Sequence, residues 1–197
     1  MTAVEGRRVS RLPAGQAHLD ALLAPLASLY AETDRLQRWG RELAGVLGGG
    51  GRLLAIGNGG SACQAQHLTS ELVGRYRDDR EPFSALALCT EISALTAIGN
   101  DYGIEHLFAR QVRGHGRPGD VLVALSTSGR SPNVLAAVEA AEDAGMTTWG
   151  LTGAPGNPLA AACDDALCVD SPHTATVQEV HQVAIHLLCA AFEGALA

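Results

Sequence analysis

The apolar positions of this 197-residue chain fall into short unbroken runs that alternate with stripes at helical spacing. The run at 121–125 holds five apolar residues in succession, which predicts a β-strand buried on both faces of a parallel sheet. Four further runs predict strands at 53–56, 84–88, 147–151 and 166–169. Because helical stripes separate these runs, we expect a parallel, doubly wound sheet with helices on both faces.

Two helical stripes precede the first predicted strand. Leucines recur through 18–30, where Pro25 predicts an interruption or a kink. Thr33 is placed to cap a second helix that continues to Val46, and the glycine run at 48–51 ends it. Two amphipathic helices in this position either pack against another subunit or cover the sheet of their own chain, and the pattern leaves both alternatives open.

The remaining helices are predicted between and after the strands, at about 60–74, 91–97, 105–113, 133–144, 158–162 and 173–193. The fold class is therefore α/β: a three-layer αβα sandwich with a five-stranded parallel sheet, preceded by N-terminal helices. In such a sheet the ligand lies outside the carboxyl ends of the strands. Polar loops that directly follow strands are accordingly the candidates for a binding site.

The residues that follow 121–125 predict an anion site. Ser126, Thr127, Ser128 and Ser131 bring four hydroxyls within six residues, and Pro132 fits the first turn of the next helix. Free backbone N–H groups and the positive end of the helix dipole point into the same gap. A serine-rich turn that only caps the helix is the alternative, but four hydroxyls exceed what a cap requires. We therefore predict phosphate binding at this loop.

Two more polar segments follow predicted elements. The loop GNGGS at 57–61 opens a helix, and its glycines allow a ligand to approach the backbone closely. Ala62 breaks the GxGxxG pattern, and Asp78 and Asp79, about twenty residues on, fall in a charged loop, so a dinucleotide site is not predicted. The segment Gly99-Asn100-Asp101 is predicted as a loop between two helices, with residue types that are common in turns.

Two helices carry candidates for acid–base or metal chemistry. His67 and Glu71 stand at i, i+4, so their side chains project from one helix face and can hold a divalent metal or transfer protons; a surface pair is the alternative. On the last helix His186 has strongly apolar neighbours, and Gln178 and Gln182 precede it at the same spacing. Alone, His186 would be a core histidine, but beside a His–Glu pair it becomes a candidate for proton transfer. The apolar face of this helix is predicted at Val180, Val183, Ala184 and Leu187.

The amino-acid composition excludes several classes of enzyme and partner. All 14 basic residues are arginine, which excludes Schiff-base enzymes and a Walker-type phosphate lysine. The net charge of −7 argues against non-specific binding to nucleic acid or to an anionic membrane. Five scattered cysteines without CxxC spacing, no signal segment and no apolar run of about 18 residues predict a cytoplasmic protein.

Four segments, in this order and spacing, resemble the phosphoheptose isomerase (sedoheptulose 7-phosphate isomerase) family of the sugar-isomerase (SIS) domain group. They are GNGGSACQAQHLTSELVGRY, AIGNDYG, STSGRSPNV and TVQEVHQVAIHLLC. The resemblance runs from about residue 20 to the C-terminus. It implies a flavodoxin-like SIS fold, with an N-terminal arm and helices for oligomerisation at 1–50, of which 1–13 is a loose arm, and a sugar-phosphate isomerase domain at 51–197.

The resemblance also implies an activity, the conversion of sedoheptulose 7-phosphate to D-glycero-D-manno-heptose 7-phosphate through a cis-enediol, for nucleotide-activated heptose. Glu71 and His186 would be the acid–base residues, and no nucleotide cofactor would be needed. One zinc per subunit would bind the residues that match the family's ligands: His67, Glu71, Gln178 and His186. Substrate contacts would come from Asn58, Gly59, Gly60, Ser61, Glu71, Asn100, Asp101, Ser126, Thr127, Ser128, Ser131 and Gln178. Members are typically homotetramers with sites at subunit interfaces.

Some features depart from the family pattern or strain the implied site. Gln178 and His186 are eight positions apart, which is about 12 Å along an ideal helix, so one metal can bind both only if the side chains lean together or the first turn is irregular. Gln64 stands where aspartate is common, Arg130 replaces asparagine, and Ala175 replaces an aspartate found in some members. Two other functions remain open: a non-catalytic SIS protein that binds the replication initiator DnaA, and an isomerase of another sugar phosphate.

Overall fold

A computed structural model describes residues 13–196 of the chain, so nearly all of the arm predicted at 1–13 lies outside the described residues. The strands are β1 (Leu53–Gly57), β2 (Ala85–Ala87), β3 (Val121–Ser126), β4 (Thr147–Thr152) and β5 (Asp165–Cys168). The α-helices are α1 (Ala14–Ala27), α2 (Thr33–Gly48), α3 (Gly60–Val73), α4 (Ile92–Tyr102), α5 (Ala109–His115), α6 (Pro132–Asp143), α7 (Pro158–Ala162) and α8 (Thr174–Leu196). Short 3₁₀ turns lie at Ser28–Glu32 and Ile104–His106.

The five strands form one parallel sheet in the order β2-β1-β3-β4-β5, which confirms the predicted fold class. The chain adds strands in one direction from β1 to β2 and then in the other from β3 onward. The direction therefore changes between β1 and β3, and a crevice opens at the carboxyl ends of these two neighbours.

Successive strand residues point to opposite faces of the sheet and fill two separate apolar cores. On one face Leu53 and Ala55 of β1 pack with residues of α2, α3 and α8. On the other face Leu54 and Ile56 pack with residues of α5, α6 and α7. This arrangement explains why the strand patterns are continuous apolar runs rather than alternating ones.

Helix α2 covers the sheet of its own chain, which decides one of the two alternatives for that helix. Trp39 stacks on Trp149 of β4 with ring centroids 4.8 Å apart and planes 1° from parallel. The indole N–H of Trp39 and the guanidinium groups of Arg35 and Arg38 all donate to the carboxylate of Asp165 at the start of β5. Helix α2 is thus bound to the far edge of the sheet by both stacking and charge.

Several predicted boundaries are wrong for local reasons. Thr33 does not cap α2: it is the first helical residue, and its hydroxyl donates to the carbonyl of Tyr30. The segment at 99–101 is the end of α4 rather than a loop, because the helix continues until Gly103 takes a positive φ of 94°. The helix predicted at 105–113 is split into a 3₁₀ turn and α5.

The predicted apolar face of α8 is half wrong. Val180 and Ala184 are fully buried, but Val183 and Leu187 are each 37% exposed. The buried face is instead formed by Val177, Val180, His181, Ala184, Ile185 and Leu188, and the side chain of His181 is 0% exposed. A histidine in that stripe looks polar in sequence, which is why the pattern missed the true orientation.

The burial of His181 predicts a specific pH dependence of stability. Desolvation lowers the pKa of His181 from 6.5 to about 4, and a hydrogen bond to the carbonyl of Thr152 opposes this shift. The unfolded chain therefore takes up a proton on His181 near pH 6.5, whereas the folded chain does not until about pH 4. Stability must fall as the pH drops through this window, by up to about 3 kcal/mol from this group.

Urea unfolding of the wild type and of His181→Gln at pH 7.5, 5.5 and 4.5 measures this contribution. We expect the free energy of unfolding to fall more steeply in the wild type, since glutamine does not titrate. Equal slopes for the two proteins would contradict the neutral, buried state of His181.

Candidate active site

The site is organised by the pairing of β1 with β3. In the parallel register Gly57 lies beside Leu125, so the loops that follow the two strands emerge side by side. Between them and the start of α8 lies a cavity of about 260 Å³. Its lining contains nine of the twelve substrate contacts predicted from sequence: Asn58, Gly59, Gly60, Ser61, Ser126, Thr127, Ser128, Ser131 and Gln178. Leu125 and Thr174, which were not predicted, complete the lining.

The loop after β3 at 126–131, called the serine loop below, has the features of an anion site. The hydroxyl oxygen of Ser126 lies 3.1 Å from that of Ser131 and 3.5 Å from that of Ser128, so three hydroxyls converge. Ser131 occupies the N-cap position of α6, yet its side chain makes no capping hydrogen bond among the described residues. The interpretation of this loop as a simple helix cap is therefore not supported, and the hydroxyl of Ser131 and the backbone N–H of Asn133 remain available to a ligand. Pro132 has no N–H, and that of Val134 donates to the carbonyl of Ser131.

The side chain of Asn157 packs against this loop at Gly129. Gly129 has a φ of 62°, and a β-carbon at this position would overlap the side-chain amide of Asn157. Asn157 also caps α7 through the amide of Ala160, and the carbonyl of Gly129 accepts from the amide of Leu159. Glycine is thus required both by the backbone conformation and by the close approach.

The GNGGS loop is fixed by two contacts with other elements. The side-chain amides of Asn58 and Asn133 exchange two hydrogen bonds of 2.9 Å, which connect this loop to α6. Gly60 lies directly under the side chain of Gln178, and a β-carbon there would collide with it. Gln64, at the position where aspartate is common in the family, donates to the backbone carbonyl of Gln178 and so aligns α3 with α8.

A second cluster brings together the predicted acid–base residues. The Nε2 atom of His67 lies 3.2 Å from a carboxylate oxygen of Glu71 and 2.9 Å from Nε2 of His186. One potential ligand atom from each residue lies within 4.8 Å of the other two. Helical spacing accounts for the pair on α3, whereas only the packing of α3 against α8 brings in His186.

The donor set of this cluster fits a divalent metal. Two imidazole nitrogens and one carboxylate oxygen are the ligands of several catalytic zinc sites, which keep a fourth position open. Tetrahedral zinc with Zn–N bonds of about 2.0–2.1 Å separates two bound nitrogens by about 3.3 Å, close to the 2.9 Å found between His67 and His186. The three side chains therefore need little movement to share one ion.

Gln178 does not join this cluster within the chain. It borders the cavity of the serine loop, two helical turns before His186. The amide next to the imidazole is instead that of Gln182, whose Nε2 lies 3.3 Å from Nε2 of His186. Asn100 and Asp101 also lie apart: they bond to each other on the exposed end of α4 and do not belong to the described cavity wall.

Sequence analysis missed the residues that surround His186. The ring of Tyr76 lies 5.5 Å from its imidazole, tilted by 31°. The carboxylate of Glu193 accepts hydrogen bonds from the backbone amides of Tyr76, Arg77 and Asp78, and so holds this loop against α8. The sequence carries only an indirect signal for these residues. Tyr76 is the last residue of the first family motif, and Glu193 lies two helical turns after His186.

One buried thiol lies beside this cluster. Cys189 is buried one turn after His186 on α8. Burial raises the pKa of Cys189 to about 12, and the negative charges of Glu71 and Glu193 add to this effect. Cys189 therefore stays a neutral thiol near neutral pH.

Comparisons with known proteins identify the family to which the chain belongs. The SIS domain family model matches residues 18–153. A phosphoheptose isomerase from Streptomyces coelicolor is 63% identical over 179 residues, 91% of this chain and 78% of that protein. The structure of phosphoheptose isomerase from Neisseria gonorrhoeae aligns with a TM-score of 0.83 at 41% identity, covering 90% of this chain and 97% of that one. A phosphoheptose isomerase structure from Francisella tularensis aligns with a TM-score of 0.81 at 33% identity, covering 92% and 100%.

The serine loop gives a direct prediction for anion binding. Gly129→Ala places a methyl group against Asn157 at a positive φ, so the loop must distort and its hydroxyls must separate. We expect the affinity for inorganic phosphate, measured by isothermal titration calorimetry, to fall by about tenfold or more, the equivalent of one or two lost hydrogen bonds to a charged group. Gly114→Ala is the matched control, because its β-carbon would meet no atom within 4 Å. Unchanged phosphate affinity in Gly129→Ala would exclude this loop as the anion site.

Proposed function

Because the chain belongs to the phosphoheptose isomerase family of SIS-domain proteins, we propose that it converts sedoheptulose 7-phosphate to D-glycero-D-manno-heptose 7-phosphate. Membership of the family makes it a sugar-phosphate isomerase of heptose biosynthesis. The observation that carries the proposal is the convergence of Glu71, His67 and His186 in a chain that also holds a separate polar cavity for the phosphate. A protein that only binds a sugar phosphate does not require the first cluster.

The two clusters divide the work between the ends of an extended substrate. The phosphate lies against the hydroxyls of Ser126, Ser128 and Ser131 and the backbone N–H of Asn133, with Gln178 and Asn58 contacting the sugar chain. The carbonyl end lies beside Glu71 and His186. Helical rise puts about 12 Å between Gln178 and His186, a separation that a seven-carbon chain can bridge and a short ligand cannot.

The reaction requires two kinds of proton transfer. Glu71 removes the proton from C1 of the ketose and returns it to C2, which converts the C2 ketone to a C1 aldehyde through a cis-enediol. His186 moves a proton between the oxygens on C1 and C2. The neighbouring amide of Gln182 and the ring of Tyr76 hold the imidazole in place during these transfers.

We further propose that His67, Glu71 and His186 hold one zinc ion per subunit, each through one atom. The second oxygen of Glu71 and the second ring nitrogen of His186 are then left for the proton transfers. Zinc would polarise the substrate carbonyl and stabilise negative charge on the enediolate oxygens. Gln178 is assigned to the substrate rather than to the ion, because it lies beside the serine loop. No nucleotide cofactor is part of this chemistry.

The proposed assembly is a homotetramer with sites at subunit interfaces. Support comes from the apolar side chains that α1 and the adjoining turn leave exposed: Leu19, Leu23 and Tyr30. A monomer in solution rarely leaves large apolar groups clustered in this way. We also propose a cytoplasmic location, since all five cysteines are free thiols. Among the described residues, no helix combines the length and the apolar character needed to cross a membrane.

Glu71→Gln tests the assignment of the base. We expect kcat with sedoheptulose 7-phosphate to fall by about a thousandfold, because the amide cannot accept the proton from carbon. The phosphate affinity and the unfolding transition should change little, since the amide keeps the size of the carboxylate. Glu139→Gln is the control, an exposed carboxylate on α6 that is expected to leave kcat unchanged.

A variant Glu71→Gln that retained wild-type turnover would refute the role of this carboxylate. A wild-type protein that turned over a different five- to seven-carbon ketose phosphate with higher kcat/KM would instead correct the substrate.

His67→Ala tests the metal site without relying on turnover. The purified wild type should retain about one zinc per chain after dialysis, measured by mass spectrometry of the metal. Loss of one imidazole should lower zinc affinity by about a hundredfold or more, which exceeds the effect of losing an outer-sphere partner. His115→Ala on the exposed end of α5 serves as the control. Equal zinc content in His67→Ala and the wild type would place the metal elsewhere.

A further inference from the structure

A buried histidine that takes no part in the proposed chemistry lies between the two clusters. His181 is on α8, after Gln178 and before His186, and its side chain is 0% exposed. Its Nε2 atom lies 3.1 Å from the backbone carbonyl oxygen of Thr152. Because a carbonyl oxygen only accepts, the imidazole donates this bond through Nε2.

The bond continues from Thr152 to the serine loop. Thr152 is the last residue of β4 and pairs in register with Ser126, the last residue of β3. The hydroxyl of Thr152 donates to the carbonyl oxygen of Ser126 at 2.8 Å, and the hydroxyl of Ser126 lies 3.1 Å from that of Ser131. Three hydrogen bonds, connected through the covalent structure of Thr152 and Ser126, therefore link α8 to the proposed anion site.

The imidazole is not needed to satisfy the carbonyl group it contacts. The same oxygen of Thr152 already accepts from the backbone amide of Val169 at 3.0 Å. The Nδ1 atom of His181 is buried and has no hydrogen-bond partner among the described residues. A leucine would fill this apolar position without leaving a buried acceptor unpaired. The advantage of histidine must therefore come from the position that its bond imposes on α8.

We infer that His181 is a positioning residue for the proposed isomerisation. Its bond to Thr152 fixes α8 relative to the carboxyl end of β4, and so sets the distance from the serine loop to His186. Because the substrate is held at its phosphate end, this distance decides whether the carbonyl end meets the acid–base pair in reactive alignment. The inference rests on the proposed function, since it concerns the geometry of that reaction.

The variants His181→Leu and His181→Gln test this role. Leucine removes the donor, whereas the amide nitrogen of glutamine lies near the position of Nε2 and can replace it. Misplacing reacting groups by about 1 Å can cost about a hundredfold in rate, so we expect kcat of His181→Leu to fall by about tenfold or more. Glutamine should restore kcat to within about threefold of the wild type. Phosphate affinity should stay within about twofold in both variants, because the serine loop keeps its own hydrogen bonds.

The outcomes separate positioning from simple structural support. A structural role would lower the melting temperature and the folded fraction but leave kcat per folded chain unchanged, and that result would overturn the inference. Equally slow leucine and glutamine variants, or a loss of phosphate affinity parallel to the loss of kcat, would also overturn it. A wild-type protein without turnover would instead refute the proposed function, so the two failures are distinguishable.

A double-mutant cycle with Thr152→Val tests whether the effect of His181 depends on the bond from Thr152 to Ser126. Valine removes the hydroxyl that bonds to Ser126 and preserves the shape of the side chain, and Thr152→Ser keeps the hydroxyl as the control. If both bonds act in series, Thr152→Val should slow turnover in the wild type but add no more than about a twofold loss in His181→Leu. Two fully multiplicative losses would show that the residues act independently and would overturn the proposed link.

Discussion

The parallel pairing of β1 with β3 is the constraint on which the site depends. These strands are consecutive in space but not in sequence, so the sheet grows away from them in both directions. The connections that follow β1 and β3 therefore leave in opposite directions, and the two loops border one crevice. The register that places Gly57 beside Leu125 brings the glycine loop next to the serine loop. A register change by one residue would turn their side chains to opposite faces.

Helix α8 converts this crevice into a site with two ends. Because α8 is one continuous helix, Gln178 at its start and His186 two turns further along cannot both contact the same small group within one chain. The helix contacts β4 through His181 and holds the loop that contains Tyr76 through Glu193. One helix thus aligns the proposed anion site, the cluster of His67, Glu71 and His186, and the ring of Tyr76 beside it.

Sequence reasoning succeeded where a signal was local and failed where packing decided. The buried strands follow from unbroken apolar runs, and the pair of His67 and Glu71 follows from helical spacing. His186 lies beside them only because α3 packs against α8, and local sequence patterns do not encode this packing. The family resemblance is what grouped the three residues. Asn100 and Asp101 were misplaced because their residue types favour turns, whereas α4 continues until Gly103. His181 was overlooked because a polar residue in an apolar stripe has no unique interpretation.

The two ends of the proposed site use different chemistry for a physical reason. The described wall of the cavity at the serine loop contains only neutral side chains, and the chain has no lysine. Amides, hydroxyls and a helix N-terminus hold a doubly charged group by directed hydrogen bonds, which fix its orientation as well as its position. A mobile ammonium group would bind the charge but leave the sugar free to rotate about it. In the proposed mechanism, proton transfer at the far end requires that orientation, because the reacting carbon must stay within reach of one carboxylate throughout the reaction.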